Sequence, residues 1–387
     1  VTVEPTQHAV SEELFDDLAA GGGGEAAARL LVSARRSRTL SFIRLLANDS
    51  EAFAVLGELR QHAPDAVNRV LDDPMVGLWA TATLLRRERG LATVGCLAQV
   101  AAAAAIRADV RVSLTLPEEI RVLPSLGPID PVSGRVRTDQ LRWRPFPALV
   151  PAPGLRWTFG GWPPGLLPDG LGLSQAPDLP LWAERVTRAW ELIAADHPVL
   201  AGELAVVVTA VAPLDPSDAG EMSATVGDAL GCVFLSLGPD AESVAVTLAH
   251  ELHHAKLAVL MDLFPLFDVD DDRRFYAPWR TDPRPVAGLL HGIYAHLAIA
   301  AFWRRRRQVA ESSRAHQEFA RWRTATWSAS QDLLTSGALT PLGYRFVERI
   351  SAQVQGWLTE SVPAADLRAA TELLAEHRGR WSRGPAA

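Results

Sequence analysis

Cysteine is nearly absent: the 387 residues hold two, Cys96 and Cys232, far apart and without a C-x-x-C pair. That excludes a thiolate zinc site and gives a disulfide framework no support, so both are expected as buried thiols. No run of eighteen or more apolar residues occurs, and the first residues lack the basic-then-apolar pattern of a signal peptide. Neither a membrane span nor export is expected, and a cytoplasmic location is. Basic charge is not in excess either. The net charge of −7 and a pI near 5.8 argue against a broad nucleic-acid surface. What the chain does have is apolar content, 48%, and length enough for two domains or one large one around an ample core.

Composition changes along the chain. From Ser11 to about Ala108, Ala, Leu, Arg and Glu recur at helical spacing, as in Ala26 to Leu46 and Glu51 to Leu59, with Pro64 and Pro74 as punctuation. Gly21 to Gly24 must be a loop, too short for a domain linker and not set between a strand and a helix as a phosphate cradle is. From Val110, Pro, Gly and Trp replace the helical pattern. Strands are expected at Val110 to Leu116, Glu118 to Leu123 and Leu141 to Val150, then a long irregular loop from Gly154 to Pro180 carrying Trp157 and Trp162. Those tryptophans could line a site or simply pack. Leu181 to Asp196 reads as an amphipathic helix, Leu204 to Val211 as a buried strand, and Cys232 to Leu237 as a second strand ended by Gly238-Pro239-Asp240. The C-terminal stretch to Arg378 is again helical, with Gly337 and Gly343 as breaks. The expected fold is α+β and mainly α: a helical N-terminal half, and a zincin-like C-terminal half with a small sheet beside one central helix. Three regions follow, 1–109 helical, 110–203 mixed strand and loop, and 204–387 metal-binding with C-terminal helices.

That central helix carries the chemistry. His250-Glu251-Leu252-His253-His254 is an H-E-x-x-H pentad, and two histidines four apart sit only ~40° apart around a helix axis, so both imidazoles can reach one cation. Apolar residues on either side, Val244, Val246 and Leu248 before and Leu257, Leu260 and Leu263 after, predict a long and largely buried helix. Unpaired imidazoles would be costly there. The plain alternative is a pair of core histidines satisfied by hydrogen bonds. His253 suits a solvated or supporting place better than ligation. A strand ahead of such a helix can bind an extended peptide by backbone pairing, which makes a peptide a reasonable substrate.

Catalytic zinc and non-haem iron normally take three protein ligands, so a third must come from elsewhere. The next helix, Val286 to Gln308, offers His291 and His296. Five apart, they diverge by ~140° and cannot easily both bind. Zincins with a Glu third ligand usually present an acidic residue on this following helix, yet Gly288 to Arg307 holds neither Asp nor Glu. A three-histidine set with His291 ahead of His296 is therefore expected, unless Asp262 or the Asp268 to Asp272 cluster folds back. The run Arg304 to Arg307 reads as a solvated helix end, with a grip on an acidic peptide as its alternative.

Several blocks together carry a family resemblance: His250-Glu251-Leu252-His253-His254-Ala255-Lys256-Leu257, Asp262-Leu263, Tyr276-Ala277-Pro278-Trp279-Arg280, Asp282-Pro283-Arg284-Pro285 and Gly288-Leu289-Leu290-His291-Gly292-Ile293-Tyr294. In order and spacing, the span from about Leu204 to Arg307 resembles the HExxH-type peptide-modifying proteins of ribosomal peptide natural-product pathways. Some of these are fused or adjacent to radical S-adenosylmethionine enzymes. Ala34-Arg35-Arg36-Ser37-Arg38 is similar more loosely. The resemblance implies an iron(II)- and 2-oxoglutarate-dependent oxygenase that hydroxylates a side-chain carbon, typically the β-carbon, of a precursor peptide. It also implies a radical S-adenosylmethionine enzyme of the same pathway as a partner, and its Gly-x-x-His block falls on Gly288 and His291. His253 and the extra His296 depart from the family pattern.

On that reading, three protein ligands leave room for the keto-acid chelate and dioxygen. The distal carboxylate of 2-oxoglutarate then needs a cation, for which a bidentate arginine is best suited. Arg280 and Arg284 are the nearest, with Lys256 behind them. Arg280 could instead pair with Asp282, and Lys256 could snorkel from its helix. Glu251 would support a ligand or water. In the competing reading, a zinc peptidase, Glu251 is the general base. A second competitor is a peptide-binding protein with a structural metal, although such sites usually close with four ligands.

Overall fold

The computed structural model describes residues 8–47, 50–88, 97–163, 165–167, 171–216 and 221–383. Cys96 lies outside them. Helix makes up 60% of the chain, in thirteen α-helices among the described residues with small sheets, so the fold is α+β and mainly α. Two compact units emerge, and neither is a continuous stretch. The first gathers Arg29–Arg188 and Ala205–Pro239, the second Ala9–Ala28, Ala189–Leu204 and Asp240–Ala387.

In the first unit the helices Glu51–His62, Pro64–Leu71, Pro74–Glu88 and Leu97–Arg107 follow the most of Gly24–Ala47. Local chemistry sets their starts: the Ser50 hydroxyl accepts from the Phe53 amide, and Pro64 takes the first helical position, where a missing N–H costs nothing. Their apolar faces share one core with the sheet, from Ile43 and Val76 through Ala103 to Phe234. The sheet runs in the order Ala148–Ala152, Leu155–Phe159, Ala210–Pro213, Cys232–Leu235, Ser223–Ala224, with parallel pairing in the middle and antiparallel pairing at both edges. Two expectations are corrected here. Trp157 sits in a strand rather than an irregular loop, fully buried, and Trp162 packs on Phe234 with ring centroids 5.3 Å apart. The apolar run expected as one strand from Leu204 to Val211 is the end of the helix Pro198–Val207 followed by the strand Ala210–Pro213. A short run that is apolar all round has no period to tell strand from helix.

The second unit is a helical assembly. Ala241–Leu263, Val286–Val309, Ser313–Leu334 and Pro341–Leu358 pack in succession, Ala364–Ser382 lies on Ser313–Leu334, and Glu12–Ala19 lies against Pro341–Leu358. Side chains of Asp240, Ser312 and Thr340 cap three of these helices by accepting from amides three residues on. Gly337, at φ +72°, does break the chain between helices. Gly343 does not: it lies inside a helix, where a Cβ would come within 1.6 Å of the Leu266 carbonyl oxygen, so close packing and not a turn demands glycine. Val286–Val309 is long and apolar enough to cross a membrane, yet 72% of its most apolar window is buried in the protein. The strand Cys232–Leu235, which precedes the H-E-x-x-H helix in sequence, belongs to the first unit's sheet. Within the second unit, Arg274–Phe275 pairs with Arg284–Pro285.

Candidate metal centre

The Ala241–Leu263 helix begins at the Asp240 cap and runs through the pentad without a break. As 3.6-residue periodicity requires, His250 and His254 fall one turn apart on one face, and their Nε2 atoms are 3.1 Å apart. That is the spacing of adjacent ligands on one first-row cation, whose metal–nitrogen bonds are about 2.0–2.1 Å. Burial pushes both imidazoles down, His250 to about 4 and His254 to about 3, the latter helped by the His250 ring beside it. Both are neutral at physiological pH, as ligands must be. The carboxylate of Glu251, 2% exposed, reaches within 3.9 Å of His250 Nε2.

The packed neighbour, Val286–Val309, brings both other histidines near. His291 places its Nδ1 3.3 Å from Nδ1 of His254, and burial, then the charge of Arg284, lowers its pKa to about 4. His296 lies on another side, its ring centroid 5.2 Å from that of His250. It is buried, stacked on Trp279 at 4.2 Å with Trp322 at 4.7 Å, and bonded through Nδ1 to the Gly292 carbonyl at 2.8 Å. His250, His254 and His291 are only partly buried, so a ligand could reach them; His296 is enclosed. As the rings stand, no three His, Cys, Asp or Glu side chains among the described residues form a metal-holding group. His254 turns its Nε2 to His250 and its Nδ1 to His291.

The cations expected near the site separate clearly. Arg284 lies over Gly288, where a Cβ would come within 2.9 Å of its Nε and Nη2, one turn ahead of His291. Its Nη1 donates to Asp282 at 3.1 Å. Arg280, more than half exposed, donates to the same carboxylate at 2.8 Å, and this bond, more than that of Arg284, holds Asp282 down at about 2. Lys256 is turned elsewhere and does not snorkel. It is 1% exposed, its ammonium 2.9 Å from both oxygens of Glu203 and bonded to the carbonyls of Gly21 and Gly22, so it has no donor to spare for a cosubstrate carboxylate. His253 is likewise not solvated. It is buried, with Nδ1 3.0 Å from the Ala249 carbonyl and Nε2 3.2 Å from that of Gly21. The run Arg304 to Arg307 is not an open basic patch either: Arg304 and Arg307 pair with Glu360, and Arg306 with Glu242 and Asp196.

Sequence reasoning missed Glu203. The signal was available, because Lys256 is the only lysine in the chain and Glu203 a lone acid in the apolar stretch 198–207; isolated charges in apolar surroundings imply a buried pair. The chain matches no family model and no curated protein.

Proposed function

We propose that the protein is an iron(II)- and 2-oxoglutarate-dependent oxygenase that hydroxylates a side chain of a peptide, with His250, His254 and His291 as the metal set. The observation that carries the reading is the pair of neutral imidazoles with Nε2 atoms 3.1 Å apart, flanked by a third, partly exposed imidazole from the adjacent helix. Ferrous iron with 2-oxoglutarate and dioxygen would supply the oxidising power for C–H hydroxylation, releasing succinate and carbon dioxide. The protein's own part is positional. Arg284, over Gly288 and beside His291, is the arginine best placed to take the far carboxylate of 2-oxoglutarate; Arg280 is too exposed to gain as much from pairing. Glu251 orients the ligand beside it, and Trp279 with Trp322 fixes the wall formed by His296. A reducing, cytoplasmic setting suits ferrous iron and the buried free thiol of Cys232.

One observation favours a second reading, a zinc peptidase: the Glu251 carboxylate stands within 3.9 Å of a ligand nitrogen, where a general base would. The two are separated by loading the protein anaerobically with ferrous iron and 2-oxoglutarate, admitting air, and following succinate and peptide mass. Succinate release with one oxygen gained by the peptide supports the oxygenase. Cleavage fragments with zinc alone overturn it. Glu251→Gln is expected to keep succinate formation within about tenfold of the parent, whereas it would abolish peptidase activity.

A further inference from the structure

The first unit contains a polar concavity of about 510 Å³ built from its own elements, and its chemistry is unlike that of the histidine site. Three guanidinium groups line it. Arg69 and Arg107 come from the last turns of Pro64–Leu71 and Leu97–Arg107, two helices that pack together, and Arg156 from the strand Leu155–Phe159. Asp72 and Asp73 also line it, but their acceptors are already engaged. Asp72 gives both oxygens to Arg36, at 2.7 and 2.5 Å. Asp73 accepts from the amides of Met75 at 2.8 Å and Ser125 at 2.5 Å.

The donors are not engaged in the same way. Arg69 makes no hydrogen bond or ion pair among the described residues, and on Arg107 its like charge acts more strongly than the opposite charge of Asp73. Arg107 commits Nε and one terminal nitrogen to Ser125, and Arg156 one nitrogen to the Phe146 carbonyl, leaving the rest of each five-donor fork open. Three guanidinium groups around one cavity, with Asp72 committed to Arg36 and Asp73 to two backbone amides beside Arg107, leave an excess of open donors that an anion between them would satisfy. A phosphoryl group, with about two negative charges and three acceptor oxygens, matches several arginine forks better than one carboxylate does. The cavity exceeds a bare phosphate in size, and Leu155, Ala205 and Val208 supply an apolar wall for the remainder of a ligand.

We infer that this pocket binds a small ligand through a phosphoryl group gripped by Arg69, Arg107 and Arg156. Calorimetric titration of the full chain with inorganic pyrophosphate, with citrate as carboxylate control and a phosphoserine peptide as a third arm, tests it. Saturable pyrophosphate binding is expected, weakened about tenfold or more by Arg69→Ala and by Arg156→Ala, unchanged by Arg188→Ala outside the pocket, and at least about tenfold tighter than citrate. Arg69 and Arg156 are exposed, so their removal should leave the thermal midpoint in place. The inference is overturned if pyrophosphate fails to saturate, if the two substitutions leave its affinity unchanged, or if citrate or the phosphopeptide binds more tightly.

Discussion

His291 and His296 occupy one helix, yet their surroundings assign them different work. His296 is sandwiched between Trp279 and Trp322 with its Nδ1 tied to Gly292, so replacing it opens a hole in an aromatic stack. His291→Ala is expected to leave the urea midpoint nearly unchanged and to weaken ferrous ion binding by about 100-fold or more. His296→Ala should cost about 2–4 kcal/mol of stability with a smaller loss of metal affinity. Titration of each variant with the metal, beside its unfolding curve, decides the matter, and the reverse pattern would make His296 the third ligand. A second residue reports on pH. His197 stacks on Phe302 at 4.7 Å with its Nε2 buried and unpartnered, and burial lowers its pKa from 6.5 to about 4. The unfolded chain takes up this proton first, so the stability it contributes is full above about pH 6.5 and is lost as pH falls through about 4. The difference is at most roughly 3 kcal/mol. His197→Phe keeps the stack and removes the titration, so the fall in urea midpoint between neutral and mildly acid pH should be shallower; identical slopes would show that the imidazole is not held neutral.

Elements were legible from the sequence where length, composition and end signals agreed. The pentad helix, the helix after it and the helical N-terminal stretch could be read because each is an uninterrupted run of more than twenty residues rich in helix formers, too long for a strand, and Asp240 and Pro285 mark where two of them begin. The helix over 198–207 was not, being apolar all round, and neither was the strand carrying Trp157 beyond its glycine turn. At the site, the His250–His254 pair followed from spacing; the next helix offered both His291 and His296, with only the Gly-x-x-His resemblance favouring the first, and the direction of Lys256 was not legible because its partner lies 53 residues away on that unreadable helix. The Lys256–Glu203 pair ties three elements together: the pentad helix, the 198–207 helix and the glycine run, whose Gly24 amide donates to Glu203 at 2.9 Å and whose Gly21 and Gly22 carbonyls face the ammonium. Gly21, Gly23 and Gly24 all have positive φ, which explains why glycine repeats there. Lys256→Met leaves Glu203 buried and uncompensated, and a loss of about 3–5 kcal/mol is expected. Adding Glu203→Leu should recover part of it, incompletely, because the glycine backbone groups then lack partners. As Lys256 is the chain's one lysine, its modification by an amine-reactive reagent followed by digestion measures opening of this pair directly. Labelling as fast in the native protein as in urea would disprove its burial.

At the scale of the whole chain, the H-E-x-x-H unit is assembled from three separated stretches, and this limits what can be cut away. Residues 9–28 supply Phe15, packed on Phe264 and Phe346, the Leu18 carbonyl that accepts from Tyr294 Oη at 2.5 Å, and the glycine carbonyls around Lys256. They also supply Asp16, which holds Arg345 and Arg349. Residues 189–204 supply Glu203, the His197 ring on Phe302, and Asp196, which pairs with Arg306. A fragment of residues 240–387 keeps both histidine-bearing helices but strands Lys256 without a counter-charge in an apolar setting, uncovers the rings of Phe264, Phe302 and Phe346, and removes the acceptor of Tyr294 Oη. A lone buried ammonium costs several kcal/mol, comparable to the whole stability of an ordinary domain of about 5–15 kcal/mol. The fragment is therefore expected to lack a cooperative urea transition and near-ultraviolet dichroism, and to bind ferrous ion at least about tenfold more weakly than the full chain. Mixing it with peptides spanning 9–28 and 189–204 should restore part of the near-ultraviolet signal, because those segments carry the missing counter-charge and ring partners. A fragment that unfolds cooperatively by itself would mean that the last 148 residues, 240 to 387, hold their own core and that the two earlier stretches only decorate it.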